Sequence, residues 1–303
     1  MRVKRKYHNL AYHTMMIPAM VFLIIFSIVP LIGYVMAFQR YNPMKPFFGL
    51  TSPWIGFQNF YTIFFMRADT RQVIVNTLII SISKLAMNII VPVIFALLLN
   101  EVFHRKFKRV VQTVVYLPYF LSWVVAAAMF MQIFSTTGLL NTALTGLGIM
   151  KDPVLFLGSN TWFRPIIILT DSWKNFGFSA IVYISAITAI DLNLYEAADM
   201  DGANRWQKMR YVTFPGILPI VIVMSVLALG GILSAGQDQI LAMYNPMVYK
   251  SGDVLDTFVY RVGLLGLKYD IGTAVGLVKS FISMLLIILS YKLADRFANY
   301  RIW

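Results

Sequence analysis

Long stretches without a charged residue constrain this chain more than any other feature. Three of them, Met16–Phe38, Val110–Phe134 and Phe214–Ala235, contain no Asp, Glu, Lys, Arg or His. Because a bilayer core about 30 Å thick needs roughly 20 helical residues, each stretch can cross a membrane. Charged residues make up only 13% of the chain, whereas soluble domains have about 25%. The bilayer is therefore the expected solvent.

Three further apolar runs with few charges complete the predicted set of spans. They are Val73–Asn100, Pro165–Ile190 and Gly272–Tyr291. Their charged residues are Lys84, Asp171, Lys174 and Lys279. Since short polar pieces join the six runs, no room remains for a separate globular domain. We predict an all-α polytopic protein in which residues 1–303 form one membrane domain of six transmembrane helices.

The distribution of Lys and Arg predicts the orientation. One set of connections is short and rich in basic residues: Arg2–Lys6, Arg105–Arg109, Arg205–Arg210 and Lys292–Arg301. The other set is longer and contains Gly, Pro, Trp and Tyr: Gln39–Gln72, Ser135–Arg164 and Gln237–Ile271. Basic connections face the cytosol, so both termini are predicted to be cytosolic. This topology accounts for the net charge of +13 better than nucleic-acid binding does.

Several kinds of site are excluded by residue type. The chain has no cysteine, and its three histidines, His8, His13 and His104, show no metal-ligand spacing. A phosphate-binding loop needs Gly before Lys-Ser/Thr, but the pair Lys279-Ser280 follows Val278. We therefore expect no catalytic residues, no metal site and no ATP site of this kind in the chain.

The connection between the fourth and fifth runs predicts a short helix pair. Asn193 is placed to cap the first helix with Glu196 three residues later, and Gly202 suits the left-handed residue that ends it. A second helix is predicted over Ala203–Thr213, stopping before Pro215. The small side chains of Ala197 and Ala198 would let another protein approach the first helix closely. The charged side chains around them could form charge-assisted contacts with that protein: Glu196, Asp199, Asp201 and Arg205.

This connection resembles the EAA loop of binding-protein-dependent ABC permeases, whose pattern is Glu-Ala-Ala, three residues, Gly, nine residues, Ile, one residue and Leu-Pro. The matching residues are Glu196, Ala197, Ala198, Gly202 and Pro215. Val212 and Phe214 replace Ile and Leu conservatively. In that family the loop is a coupling helix that sits in a cleft of the cytosolic ATPase. The resemblance therefore implies ATPase-coupling roles for Glu196, Ala197, Ala198, Gly202 and Pro215. Asp199 and Arg205 are added to this set because their charges can form contacts with the ATPase.

Shorter motifs resemble the carbohydrate-uptake branch of the family. They are Asn76-Thr77-Leu78, Leu117-Pro118, Gly138-Leu-Leu-Asn141 and Asp201-Gly202-Ala203. Others resemble permeases for complex, often acidic oligosaccharides: Arg40-Tyr41-Asn42-Pro43, Leu99-Asn100-Glu101-Val102, Ser122-Trp123-Val124-Val125 and Val254-Leu255-Asp256-Thr257.

The resemblance implies a type I ABC importer permease in the bacterial cytoplasmic membrane. Its partners would be a second permease subunit, two ATPase subunits carrying ATP and Mg²⁺, an extracytoplasmic solute-binding protein and an oligosaccharide. The second set of motifs indicates an oligosaccharide of the complex, often acidic kind. The chain itself would hold no cofactor. The alternative is a secondary transporter driven by an ion gradient, with Lys84 or Asp171 titrating. The absence of an internal repeat argues against that alternative.

Polar residues inside the runs are the candidates for the substrate path, because burying them in a bilayer is costly. Trp173 could stack on a sugar ring and Asn175 could bond its hydroxyls. Lys84 and Asn88, four residues apart, share a helix face. Gln237 and Asp238, with the neighbouring Gln239, are expected to end the fifth span and line the outer vestibule.

Two other lysines have structural interpretations. Lys174 lies three residues after Asp171, so an ion pair within one helix is possible. Lys279 is expected to extend its amine toward the interface or to pair within the bundle.

Overall fold

The computed structural model describes the backbone of residues 2–44 and 52–298, with the side chains of residues 12–44, 52–293 and 295. Lys45 of the first outer connection and Arg301 of the C-terminal segment lie outside the described residues. The described chain is almost entirely helical, and its one β-bridge joins Gln39 to Trp54. The predicted all-α class is therefore confirmed.

Fourteen α-helices follow one another along the described chain. They are α1 Arg2–Leu23, α2 Gln58–Tyr61, α3 Ala68–Asn100, α4 Arg105–Tyr116, α5 Trp123–Ile133, α6 Leu139–Gly146, α7 Phe163–Thr188, α8 Leu192–Met200, α9 Arg205–Lys208, α10 Phe214–Leu229, α11 Gln237–Met243, α12 Tyr249–Gly252, α13 Leu255–Phe258 and α14 Tyr269–Ala298.

Four continuous helical segments in the described chain are long and apolar enough to cross a membrane. They are Tyr12–Phe38, Ala68–Asn100, Arg205–Leu229 and Tyr269–Leu293. Two bent helix pairs pass the same test, which brings the number to as many as six. The pairs are α4 with α5, bent by 103°, and α7 with α8, bent by 67°. Each of these segments overlaps one of the six predicted runs, and in the second pair the overlap is with α7.

The third predicted run, Val110–Phe134, is broken in the middle. Leu117–Phe120 forms a 3₁₀ turn, and Leu121 adopts an extended conformation. The Ser122 hydroxyl then caps α5 by accepting the amide hydrogen of Val125 at 3.3 Å. Apolar composition cannot distinguish such a break from a straight span. A proline in the turn and a serine at the following helix start are the local signals for it.

The chain divides into two compact units. One contains residues 2–44, 52–67 and 259–278 of the described chain. In it the Asn59 side chain donates to the carbonyls of Ala37 and Gln39, both at 3.0 Å. These bonds attach α2 to the end of the first span.

The other unit contains residues 68–258 and the described residues from 279 onward. Its contacts centre on α3 and α7. One buried apolar cluster includes Ile80 of α3, Phe163 and Ile167 of α7, and Ile240 of α11. At the other end of the same helices, a second cluster contains Ala96 of α3 and Tyr183 of α7 with Ile217 of α10. The long helices α3 and α7 thus form the frame on which the candidate sites are built.

Candidate functional site

The predicted coupling loop begins with a helix cap that differs from the expected one. Asp191, and not Asn193, caps α8, because its carboxylate accepts the amide hydrogen of Asn193 at 3.0 Å. Asn193 lies inside the helix, so its predicted capping box with Glu196 is wrong. A capping box does occur at the next helix start. There the side chains of Asn204 and Gln207 bond each other's backbone amides at 3.0 and 2.8 Å.

The glycine break between the two helices is as predicted. Gly202 has φ +74°, in the left-handed region, and space is open where a Cβ would stand. It separates α8 from α9. Because residues with a Cβ are strained in this region, Asn and Asp less than the others, the turn depends on the residue type at this position.

The second helix of the loop does not stop before Pro215. It continues from Arg205 to Leu229 as one helical segment. The turn Met209–Thr213 is a π-helix, in which the amide of Phe214 donates to the carbonyl of Met209 five residues earlier. This wide turn accommodates a proline that has no amide hydrogen. The expectation that proline ends the helix was wrong because a π-turn can precede it.

Most coupling-loop residues face solvent in the described chain. Glu196, Ala197, Asp199 and Gly202 are exposed and Ala198 is half-buried. Exposed apolar side chains flank them: Leu192, Leu194, Met200 and Trp206. A surface helix that exposes large apolar side chains beside charged ones is typical of a protein contact.

Two loop residues already have contacts within the chain. Asp199 accepts a hydrogen bond from Lys208 at 2.6 Å, which ties α8 to α9. The Arg205 guanidinium lies 4.1 Å from the centre of the Phe103 ring, in the connection between α3 and α4. The loop is therefore attached to the neighbouring predicted cytosolic connection.

A second candidate site is a buried polar cluster between α3 and α7. The Lys84 amine lies 3.2 Å from one carboxylate oxygen of Asp171, and both side chains are buried. Asn88 donates to the other oxygen at 2.9 Å. The shared helix face predicted for Lys84 and Asn88 is confirmed, since both reach the same carboxylate.

Gln239 belongs to this cluster, which the sequence analysis missed. Its residue is 0% exposed, and its side-chain oxygen accepts from the Lys84 amine at 2.5 Å. The expectation that Gln237, Asp238 and Gln239 end a span was wrong, because α10 ends at Leu229 and these residues begin α11. Gln237 and Asp238 are exposed. The two consecutive glycines Gly230-Gly231, directly after Leu229, are the sequence feature that could have predicted this earlier helix end.

A cavity of about 260 Å³ adjoins the cluster. It is lined by Ser81, Lys84, Leu85, Asn88, Asp171, Asn175, Ala228, Gly231, Ile232, Ser234, Ala235 and Gly236. The Ser81 hydroxyl and the side-chain amide oxygen of Asn88 are buried and have no hydrogen-bond partner within the described part of the chain. The structure thus places unpaired polar atoms on residues that line a cavity.

The substrate-path candidates separate into two groups. Lys84, Asn88 and Asn175 line the cavity. Trp173 does not, because its ring packs edge-on against Phe130 with centroids 5.3 Å apart. Their roles remain predictions.

The two remaining membrane lysines have different partners. The ion pair within α7 that the sequence suggested for Lys174 and Asp171 does not form, since Asp171 pairs with Lys84. Instead the Lys174 amine donates to the Tyr119 carbonyl at 2.8 Å and lies over the Tyr119 and Trp123 rings, at 5.3 and 5.4 Å from their centres. Lys279 pairs with the Asp256 carboxylate, as one of its two structural interpretations anticipated.

The fold and the exposed loop formed by α8, Gly202 and α9 define a class of protein, the multi-pass permease that works with a separate ATPase. Residues 88–299 match the family of binding-protein-dependent transport system inner membrane components. The chain belongs to this family and is a permease subunit of an ABC importer in the inner membrane. The secondary-transporter alternative has no support.

Individual relatives agree with this assignment. The polygalacturonan/rhamnogalacturonan transport system permease protein YteP of Bacillus subtilis (strain 168) is 35% identical over 288 residues, 95% of this chain and 88% of that protein. Protein LplB of the same organism is 35% identical over 286 residues, covering 94% and 88%. A crystal structure of a bacterial ABC transporter involved in the import of the acidic polysaccharide alginate has a TM-score of 0.88 and 36% identity, covering 98% of this chain and 99% of that one.

Family membership also supplies the predicted division of labour. The chain is a transport subunit, and ATP is hydrolysed on separate ATPase subunits. It works with a second permease subunit and a solute-binding protein outside the membrane. A second structure of the alginate transporter contains its periplasmic protein bound to an alginate pentasaccharide, and it matches this chain with a TM-score of 0.89.

Proposed function

We propose that this permease imports an acidic oligosaccharide and that the cavity beside Lys84 and Asp171 lies on the path. The similarity to an alginate importer over nearly the whole chain is the observation that carries the proposal. The relative YteP, named for polygalacturonan and rhamnogalacturonan transport, supports the same carbohydrate class. The cargo would be delivered by the solute-binding protein and released by alternating access.

The polar groups of α3 and α7 suit such a cargo. Ser81, Asn88 and Asn175 line the cavity and offer hydroxyl and amide groups that can exchange hydrogen bonds with sugar hydroxyls. The two helices bury two ammonium groups, on Lys84 and Lys174, but only one carboxylate, on Asp171. Lys84 pairs with that carboxylate, whereas the Lys174 ammonium, outside the cavity lining, contacts only the Tyr119 carbonyl and two aromatic rings among the described residues. In this proposal its positive charge attracts a carboxylate of the cargo.

The coupling loop provides the connection to ATP hydrolysis. In this proposal the exposed face of α8 enters a cleft of the ATPase subunit. The same subunit carries ATP and Mg²⁺ at its own site. The contact residues are Glu196, Ala197, Ala198, Asp199, Gly202 and Arg205, and Pro215 shapes the helix that follows. Because α7 and α8 are joined through a 67° bend, a force on α8 acts directly on a helix that lines the cavity.

Uptake by the complete importer tests the assigned function. The two permease subunits, the ATPase subunits and the cognate binding protein are reconstituted in vesicles with ATP inside, and labelled oligosaccharides of equal length are compared. Acidic oligosaccharides should be taken up, with ATP hydrolysis stimulated by the loaded binding protein. Preference for neutral oligosaccharides would reject the cargo class, and uptake by this chain alone without ATP would reject the permease mechanism.

Replacing Lys174 tests the proposed charge recognition. Lys174→Gln should lower uptake of an acidic oligosaccharide by about fivefold, because one charge-assisted contact of about 1 kcal/mol is lost. Uptake of the same oligosaccharide after reduction of its carboxyl groups should change less than twofold, within about 0.4 kcal/mol. The measurement is the ratio of the two uptake rates.

Lys151→Gln is the control for a general loss of positive charge, since Lys151 is an exposed lysine in the outer connection before α7. It should leave the ratio unchanged. An equal loss for both cargoes in Lys174→Gln would show that the lysine only supports the fold through Tyr119.

A further inference from the structure

The helix break between α10 and α11 lies against the buried polar cluster. Residues 230–236 separate the two helices, and Gly236 has φ +86°. The Ala235 carbonyl, at the end of this break, accepts a hydrogen bond from the Lys84 amine at 2.7 Å. A lysine from another helix therefore satisfies an oxygen that lies outside helix α10.

Three oxygens surround the Lys84 amine. They are the Ala235 carbonyl at 2.7 Å, the Gln239 side-chain oxygen at 2.5 Å and an Asp171 carboxylate oxygen at 3.2 Å. An ammonium group has three hydrogens to donate, so the number of acceptors equals the number of donors. The three oxygens come from α7, from α11 and from the break before α11.

Each side-chain oxygen of this set is held in place by other bonds. The amide nitrogen of Gln239 donates to the Ile167 carbonyl and to the Thr170 hydroxyl, both at 2.8 Å. Its oxygen must therefore face Lys84. The second Asp171 oxygen accepts from Asn88 at 2.9 Å, which fixes the carboxylate. The site is thus organised around the cation by its own hydrogen bonds.

Backbone carbonyls at a broken membrane helix, together with amide and carboxylate oxygens, form the kind of site in which transporters bind Na⁺. Here an ammonium on a side chain occupies that position. We propose that Lys84 serves as an internal cation, filling an oxygen-lined site for a monovalent cation, and that it thereby positions the helix break 230–236 at the cavity wall. This role of Lys84 is independent of the chemical class of the cargo.

Gly236 is adapted to the same arrangement. A Cβ at this position would lie 2.8 Å from the Lys84 nitrogen, closer than carbon and nitrogen atoms normally pack. The left-handed backbone also favours glycine here. A side chain at residue 236 would therefore push the Lys84 amine away from its three oxygens.

Chemical rescue tests the internal cation. Lys84→Ala in the complete reconstituted importer removes a propylammonium group and should lower cargo uptake at least about tenfold, because Asp171 is left buried without its partner. Added n-propylammonium should restore uptake at least about threefold by entering the vacated site. The uncharged 1-propanol should not restore it, and the unmutated importer should respond to neither compound.

Lys279→Ala is the matched control, because it removes an ammonium that pairs with the single carboxylate of Asp256. Its uptake should not be restored by n-propylammonium. Full activity of Lys84→Ala without amine would overturn the proposal, as would equal rescue by 1-propanol or equal rescue of Lys279→Ala.

If Lys84→Ala does not assemble, Gly236→Ala tests the same site with the lysine retained. Its methyl group crowds the ammonium and should lower uptake at least about threefold relative to Gly148→Ala. Gly148 has a similar φ of +70° but open space around it, so this variant has the backbone strain without the crowding. Equal uptake by the two variants would overturn the proposal.

Discussion

Gly202→Asp is expected to weaken both ATPase attachment and cargo uptake while the chain still inserts into the membrane. The substitution places a carboxylate in open space at the turn between α8 and α9. There it adds to the negative charge of Glu196 and Asp201 on the surface proposed to enter the ATPase. We expect ATPase subunits copurifying with the permease, and cargo uptake, to fall at least about tenfold, since a carboxylate buried at an interface without a partner costs more than about 1.4 kcal/mol.

Gly148→Asp provides a closely matched control. Gly148 has φ +70°, against +74° for Gly202, and a Cβ meets no atom within 4 Å at either position. The backbone strain and the added charge are therefore the same, but Gly148 follows α6 in a predicted outer connection. Copurification of the ATPase should be unchanged in this variant. An equal loss in both variants would mean that strain in the chain, and not docking at the loop, causes the effect.

The spans and the coupling loop could be predicted because their signals are local. A run of uncharged residues and a motif of fixed spacing are visible in sequence without knowledge of the fold. The ends of the helices inside the loop were harder to predict from sequence. The π-turn before Pro215 and the cap at Asp191 depend on hydrogen bonds that compete with the expected ones. Propensity rules rank such alternatives but do not decide between them.

The buried polar cluster could be predicted only in part. The cost of burying charge identified Lys84, Asp171 and Lys174 as important positions. The sequence did not show which of these groups would pair. Asp171 lies three residues from Lys174 along α7, but its carboxylate pairs with Lys84 of the neighbouring helix α3. Gln239 was missed for the same reason: its partners are 155 residues away at Lys84 and 69 residues away at Thr170. Periodicity predicts which residues share a face of one helix, but it does not predict which residues of another helix pack against that face.

Two of the short sequence motifs form a single structural unit. The Asn76 amide nitrogen donates to the carbonyls of Asp253 at 2.9 Å and Lys250 at 3.2 Å, and its oxygen accepts from Arg164 at 2.6 Å. The next residue, Thr77, accepts the amide hydrogen of Leu255 at 2.9 Å. The start of α3 therefore holds α12 and α13, which belong to the last predicted outer connection.

Asn76→Ala is expected to destabilise this connection strongly. The side chain is fully buried, so its loss leaves the carbonyls of Lys250 and Asp253 without its amide donor. It also removes one acceptor of the Arg164 guanidinium, which keeps its bond to the Ser251 carbonyl at 3.0 Å. Unpaired buried groups of this kind cost about 3 kcal/mol in total, which should lower the apparent unfolding temperature by about 5 °C or more. Thermal unfolding of the purified importer in detergent measures the change.

Asn160→Ala distinguishes the buried network from an ordinary side-chain bond. Asn160 also donates to a backbone carbonyl of the same connection, that of Met247 at 3.0 Å, but it is exposed. Water can replace its bond, so the variant should unfold within about 1 °C of the unmutated protein. If Asn76→Ala were equally mild, the outer connection would be held by its apolar contacts, such as Phe258 and Val248 in the core, and the two motifs would have independent roles.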